Sequence, residues 1–232
     1  MWESLDEIPS DGSPIVISSA GRRQLIVWAY KSVAALDPAT GRIIWRQVVN
    51  AGPSYTVATP VWKEDRLLLG GLMLKLSNNE PGVSILWPEE MRPSRIHVSD
   101  TSTPLLQDGL VFSPNARGQL LCLDAATGKQ LWQADQVTEL KGGASIHLTA
   151  APSIHSVFLY TDRGDLILSR LTAAGYHEVS RAHLLDPTNE YAGRKMAWPP
   201  PAYAERCVFA RSDKELVCAS LRPGRETGRS NN

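Results

Sequence analysis

A Pro-led start into a short apolar run recurs along this chain, at "SPIVI" (Pro14), "TPVW" (Pro60), "TPLL" (Pro104), "APSI" (Pro152) and "PPAY" (Pro201). The steps are 46, 44, 48 and 49 residues. A second marker, Trp45, Trp87 and Trp132, steps by 42 and 45 residues. A period in the forties narrows the fold sharply. Each repeat must be one supersecondary unit that cannot bury its own faces and stacks on its neighbours.

Within a unit the pattern reads as strands. In the third, "TPLL", "LVFSP", "QLLCL" and "KQLWQA" are apolar runs separated by the turn signals "QDG", "NARG" and "DAATG". Runs of this length between Asn, Asp and Gly turns predict antiparallel hairpins. The last unit gives only three runs, in "PPAY", "CVFAR" and "LVCASL". No long segment carries a 3.6-residue period, so helix should be scarce. Four short strands per unit, repeated, predict an all-β fold, a β-propeller of four-stranded antiparallel blades. About four complete blades and part of a fifth fit in residues 1–221, an incomplete ring, and 222–232 read as a disordered tail without apolar residues.

One phrase occurs twice, as "LDPATGRIIW" and "LDAATGKQLW". Asp37 and Asp124 each end an apolar strand, where a carboxylate accepts backbone N–H groups from the residues just ahead. Thr40 and Thr127 add a hydroxyl, and Gly41 and Gly128 suit a position of positive φ. Trp45 and Trp132, four residues after the Gly, fall on the outer strand and should pack on the adjoining blade. On that basis loss of Trp132 should cost about 3–5 kcal/mol. The set recurs with the repeat, which favours a turn and an inter-blade plug over a catalytic group. The phrase resembles the repeat of the pyrroloquinoline-quinone (PQQ) propeller family, with Asp, Thr, Gly and Trp at its offsets in two units. The second unit keeps Trp87, and the fourth has Gly175 and no Trp.

The resemblance implies one of two roles. The family includes PQQ- and calcium-dependent alcohol and sugar dehydrogenases. It also includes non-catalytic propellers such as the lipoprotein of the outer-membrane β-barrel assembly machinery. The dehydrogenase marks, a pair of adjacent cysteines and a calcium cluster, do not map onto this chain, so no cofactor is expected from it. The expectation is a non-catalytic interaction or scaffold module that binds a protein or peptide. The alternative is a quinoprotein dehydrogenase, with PQQ and calcium, whose cofactor site lies mostly in a missing N-terminal part. Ring closure would then need the remaining blades or another chain, and Trp2 would be the last-strand Trp of a preceding blade. By the same resemblance the location is extracytoplasmic, in the periplasm or envelope of a bacterium. The acidic N-terminus is not a signal peptide.

Lys plus Arg equals Asp plus Glu at 24 each, which argues against a basic nucleic-acid surface. The longest nearly apolar run, "LLLGGLML", is too short for a membrane span. Three cysteines at loose spacing suggest neither a disulfide framework nor a metal site. Cys122 and Cys218 lie in apolar runs and read as buried thiols. Function should then sit where the inner strands begin, around the channel mouth. The candidates there are Tyr55, His97, Asp100, His147 and Trp198. His97 and His147 read as counterparts before successive inner strands, two imidazoles converging on one axis. Ser99, His97 and Asp100 do not make a triad, because neighbours on an extended chain point apart. His155, His177 and His183 carry no assigned role. "YAGRKMAWPPPAYAER" reads as a rigid Pro-rich loop over the channel.

Overall fold

The structure is a computed structural model that describes residues 1–49, 57–94, 96–99, 101–191 and 193–222. Tyr55, Asp100 and the tail from residue 223 lie outside the described residues.

Blade 1 comprises β1 (Ile15–Ser19), β2 (Arg22–Trp28), β3 (Ser32–Leu36) and β4 (Ile43–Val48). Blade 2 comprises β5 (Val61–Lys63), β6 (Arg66–Leu69), β7 (Leu72–Leu76) and β8 (Val83–Trp87). Blade 3 comprises β9 (Leu105–Gln107), β10 (Leu110–Pro114), β11 (Leu120–Asp124) and β12 (Gln130–Ala134). Blade 4 comprises β13 (Ile146–Ala151), β14 (Ser156–Thr161), β15 (Asp165–Thr172) and β16 (Gly175–His183). A separate hairpin, β17 (Asn189–Tyr191) with β18 (Arg194–Met196), precedes blade 5, which is β19 (Ala202–Ala204), β20 (Cys207–Arg211) and β21 (Leu216–Ser220). Every blade is an antiparallel meander in chain order, and the sheets do not close into a ring. Helix among the described residues is one short 3-10 turn, Pro152–Ile154.

Alternation along the strands explains the packing. On β6, Leu67 and Leu69 face blade 1 and Leu68 faces blade 3. On β7, Leu72, Leu74 and Leu76 face blade 1, and Met73 faces blade 3. Both faces of these strands are buried, so the run "LLLGGLML" is continuous rather than alternating. The core is therefore four clusters, each between consecutive blades. The first strands approach one another across the blades, β5 with β9 and β9 with β13, which sets them on the inside.

Three expectations need correction. Pro152 does not lead the inner strand of blade 4. The strand β13 runs up to Ala151, with Ala151 opposite Ser156, and Pro152 opens the 3-10 turn that follows. A Pro lacks the N–H that a paired strand would use and suits the first position of a helical turn. The stretch after Leu185 is not only a Pro-rich loop, since it holds the β17–β18 hairpin. Cys218 is exposed, because Val217 and Ala219 take the side of β21 that faces blade 4. Cys122 is buried in blade 3, and desolvation pushes its thiol up to about 11.

Candidate functional site

The repeated phrase forms a blade joint. Asp37 Oδ1 accepts the N–H of Ala39 at 2.9 Å and of Thr40 at 3.1 Å. Asp124 Oδ1 accepts Ala126 N–H at 3.1 Å, Thr127 N–H at 2.8 Å and the Thr127 hydroxyl at 2.7 Å. These bonds hold both carboxyls below the usual carboxylate range, led by the backbone at Asp37 and by the Thr127 hydroxyl at Asp124. The turns close through Gly41 N–H to Asp37 O and Gly128 N–H to Asp124 O, with both glycines near φ +70 (72° and 71°). A register shift accompanies each turn, between Ala35 and Leu36 where β3 pairs with β4 and between Cys122 and Leu123 where β11 pairs with β12.

Each turn is also a socket. Trp87 lies over Gly128 and donates Nε1–H to Ala125 O at 3.0 Å. Trp2 lies over Gly41 and donates to Pro38 O at 3.3 Å, the same contact one joint earlier. Trp132 donates to Thr172 O in blade 4 at 2.7 Å but is only half-buried. Trp45 is buried in the cluster between blades 1 and 2, with its N–H on Gln24 of its own blade at 2.8 Å.

The channel is built from a simpler repeat. Each blade sends a pair of residues, spaced i and i+2, into a cavity of about 540 Å³, to which blade 4 adds Leu148. The pairs are Asp11 and Ser13, Val57 and Thr59, Thr101 and Thr103, His147 and Thr149, then Trp198 and Pro200. That spacing puts both side chains on one face of an extended segment. Hydroxyls therefore fill the second place in four of five blades. The signal was present in the sequence: a Ser or Thr directly precedes Pro14, Pro60 and Pro104.

This register changes the histidine reading. The counterpart of His147 in blade 3 is Thr101, not His97, and His97 does not line the cavity. His147 lies within β13 and donates Nε2–H to Trp198 O at 2.9 Å, since a carbonyl can only accept. Burial lowers its pKa and the bond to Trp198 opposes that, so the ring is neutral near pH 7. Trp198 donates in turn to Asn189 Oδ1 at 3.2 Å and meets Tyr191 edge-on, their rings 5.1 Å apart. The exposed hairpin is thus tied to the channel mouth. Ser99 Oγ pairs with Thr101 Oγ1 at 2.9 Å. These groups can hydrogen-bond a polar ligand or a peptide backbone. Among the described residues no group of three or more His, Cys, Asp or Glu is placed to hold a metal ion.

Two ionic features escaped the sequence reading because one depends on how the β17–β18 hairpin packs on blade 4 and the other on the β15–β16 pairing. Asp162 and Arg194 form a buried ion pair that fastens the hairpin to blade 4. Thr138 Oγ1 donates to Asp162 Oδ1 at 2.8 Å, and Arg194 Nη1 donates to Glu139 O at 3.2 Å. His183 lies between Asp165 at 2.8 Å and Asp186 at 3.1 Å, bonds that raise its pKa, Asp165 first.

A meander of four-stranded blades with cores between the blades and a channel at their inner edges defines a β-propeller segment. The family model described as outer membrane protein assembly factor BamB matches residues 1–225, and the chain belongs to that PQQ-repeat family. No curated protein matches it. Among solved structures, BamB from Moraxella catarrhalis is 16% identical with a TM-score of 0.56, covering 93% of this chain and 59% of that one. A quinohemoprotein alcohol dehydrogenase, ADHIIG from Pseudomonas putida HK5, is 14% identical with a TM-score of 0.61, covering 96% and 44%. The Cps50 (Swd1) β-propeller domain of Myceliophteria thermophila is 12% identical with a TM-score of 0.56, covering 89% and 69%. The chain thus spans about half the length of the first two.

Proposed function

We propose that this chain is a non-catalytic propeller segment that serves as a scaffold and binds a protein or peptide. The observation that carries this reading is the edge of blade 5. Blades 1 to 4 have four strands and blade 5 has three, so the outer edge of β21 has no strand beside it among the described residues. Leu216 on that strand is 71% exposed. Unpaired N–H and C=O groups on an edge accept an added antiparallel strand. The occupant is a strand from the remaining blades or from another chain, and it would complete the blade. The family description supports an extracytoplasmic site of action in a bacterial envelope. No helix among the described residues is long and apolar enough to cross a membrane.

The channel and the likeness to a quinohemoprotein dehydrogenase favour the second reading, a PQQ- and calcium-dependent enzyme. The donor set does not fit it within this chain. Calcium takes about 6–8 oxygen ligands, carboxylates prominent among them. The described cavity wall offers one carboxylate, Asp11, beside hydroxyls and a neutral imidazole. The test is thermal unfolding of the purified chain with and without PQQ and calcium. The expected result is an unchanged midpoint. A rise of several degrees, as ligand binding to the native state produces, would overturn the scaffold reading.

A further inference from the structure

We propose that Cys207 and Cys218 form a cross-strand dithiol on blade 5 that closes reversibly to an internal disulfide when a small-molecule disulfide of the glutathione class is present. Spacing in the chain hides this pair, and the strand register reveals it. In the β20–β21 ladder Cys207 lies opposite Ser220, and Phe209 lies opposite Cys218. The two cysteines are therefore diagonal neighbours on adjacent strands. They share one face, since Val208, Ala210, Val217 and Ala219 occupy the other, packed toward blade 4. That face is open to reagents: Cys207 is half-buried and Cys218 is exposed.

Diagonal partners have Cα atoms about 7–8 Å apart, with Cβ atoms nearer. A disulfide needs Cα atoms within about 7 Å, so a small approach of the strands is required. The strand β21 can supply it, because it is held on one side only. Desolvation, then the nearby Cys207 thiol, raises the pKa of Cys218. Cys207 Sγ also donates weakly to Glu205 O at 3.8 Å.

The chemistry balances. One thiolate attacks the small disulfide and expels one small thiol, leaving a mixed disulfide on the protein. The second protein thiolate attacks the protein-side sulfur and expels the other small thiol. The two protein thiols lose two electrons and two protons, and the small disulfide becomes two thiols. An exposed disulfide that draws an edge strand inward belongs to the easily reduced class, so the closure is reversible.

The test incubates the full chain with oxidised glutathione, followed by intact-mass measurement and peptide mapping without reduction. The expected product has lost two hydrogen masses and carries a Cys207–Cys218 cross-linked peptide, and dithiothreitol restores both thiols. Buried Cys122 stays free and is alkylated only on unfolding. In Cys207→Ser the glutathione adduct on Cys218 accumulates, because no second thiol resolves it. The Cys122→Ser variant behaves as the unmodified chain. The proposal fails if the unmodified chain retains glutathione on Cys218 as fully as Cys207→Ser does. It fails equally if both thiols remain alkylatable after oxidant treatment.

Discussion

Replacing Gly128 by Ala tests the blade joint at its tightest point. Gly128 has φ 71°, and a left-handed conformation costs an L-residue about 1–2 kcal/mol. An added Cβ would lie 2.7 Å from Cδ2 of Trp87, so the ring must move. Trp87 is 6% exposed, and its Nε1–H bond to Ala125 O has no water to replace it once displaced. Losing that bond adds about 1–3 kcal/mol. The combined loss is about 3 kcal/mol, which lowers the midpoint of a chain this size by roughly 6–12 °C. Gly109 is the control, with φ 74° and nothing within 4 Å of its added Cβ. Its replacement by Ala should show the backbone part alone, about 1 kcal/mol. Trp87→Ala should cost about 3–5 kcal/mol. In that background Gly128→Ala should revert to the backbone part, leaving a coupling of about 1–2 kcal/mol. Trp132→Ala should cost less than Trp87→Ala, since Trp132 is only half-buried. Thermal and urea unfolding read all these values. Equal losses for Gly128→Ala and Gly109→Ala, or strict additivity with Trp87→Ala, would refute the socket.

Asp162→Ala should destabilise by about 3–5 kcal/mol, because it leaves the Arg194 charge buried without its partner; urea unfolding measures it, and a loss under about 1 kcal/mol would contradict the burial. The two histidines should give opposite pH slopes. His147 has a lowered folded pKa, so the unfolded chain binds more protons; its contribution is full above about 6.5, the unfolded value, and is lost as pH falls from there through the lower folded value. His183 has a raised folded pKa, so its contribution is full below about 6.5 and is lost as pH rises through the folded value. Stability measured against pH for His147→Gln and His183→Gln should therefore diverge from the parent chain at acid pH in opposite directions, and parallel curves would refute both assignments.

The fold was legible because a propeller repeats its turn chemistry. The Asp–Thr–Gly phrase marks that turn chemistry in blades 1 and 3, and the Pro-led starts mark the inner strands of blades 1, 2, 3 and 5. Pro152 misled because blade 4 has a longer inner strand, β13, so the marker fell after the strand instead of before it. The partner of His147 was also misplaced by four residues, at His97 rather than Thr101. The channel lining of blades 1 to 3 was readable in retrospect from the hydroxyl before Pro14, Pro60 and Pro104. The Asp162–Arg194 pair and the Cys207–Cys218 pair were not readable. Their members are 32 and 11 residues apart; the first pair meets only where the β17–β18 hairpin packs on the turn after β14, and the second only through the β20–β21 ladder.

Each cluster of the core joins two consecutive blades and no others. Cohesion is thus passed from neighbour to neighbour, like a row of clasped links, and the described chain has no clasp between first and last. Blades 2, 3 and 4 are gripped on both faces, and blade 5 on one. Local opening should begin at β21 and travel inward, so amide exchange would be fastest in blade 5 and slowest in β6, β7, β10 and β11. A docked strand on β21 would then slow exchange along the whole row, with the largest change at the link it touches.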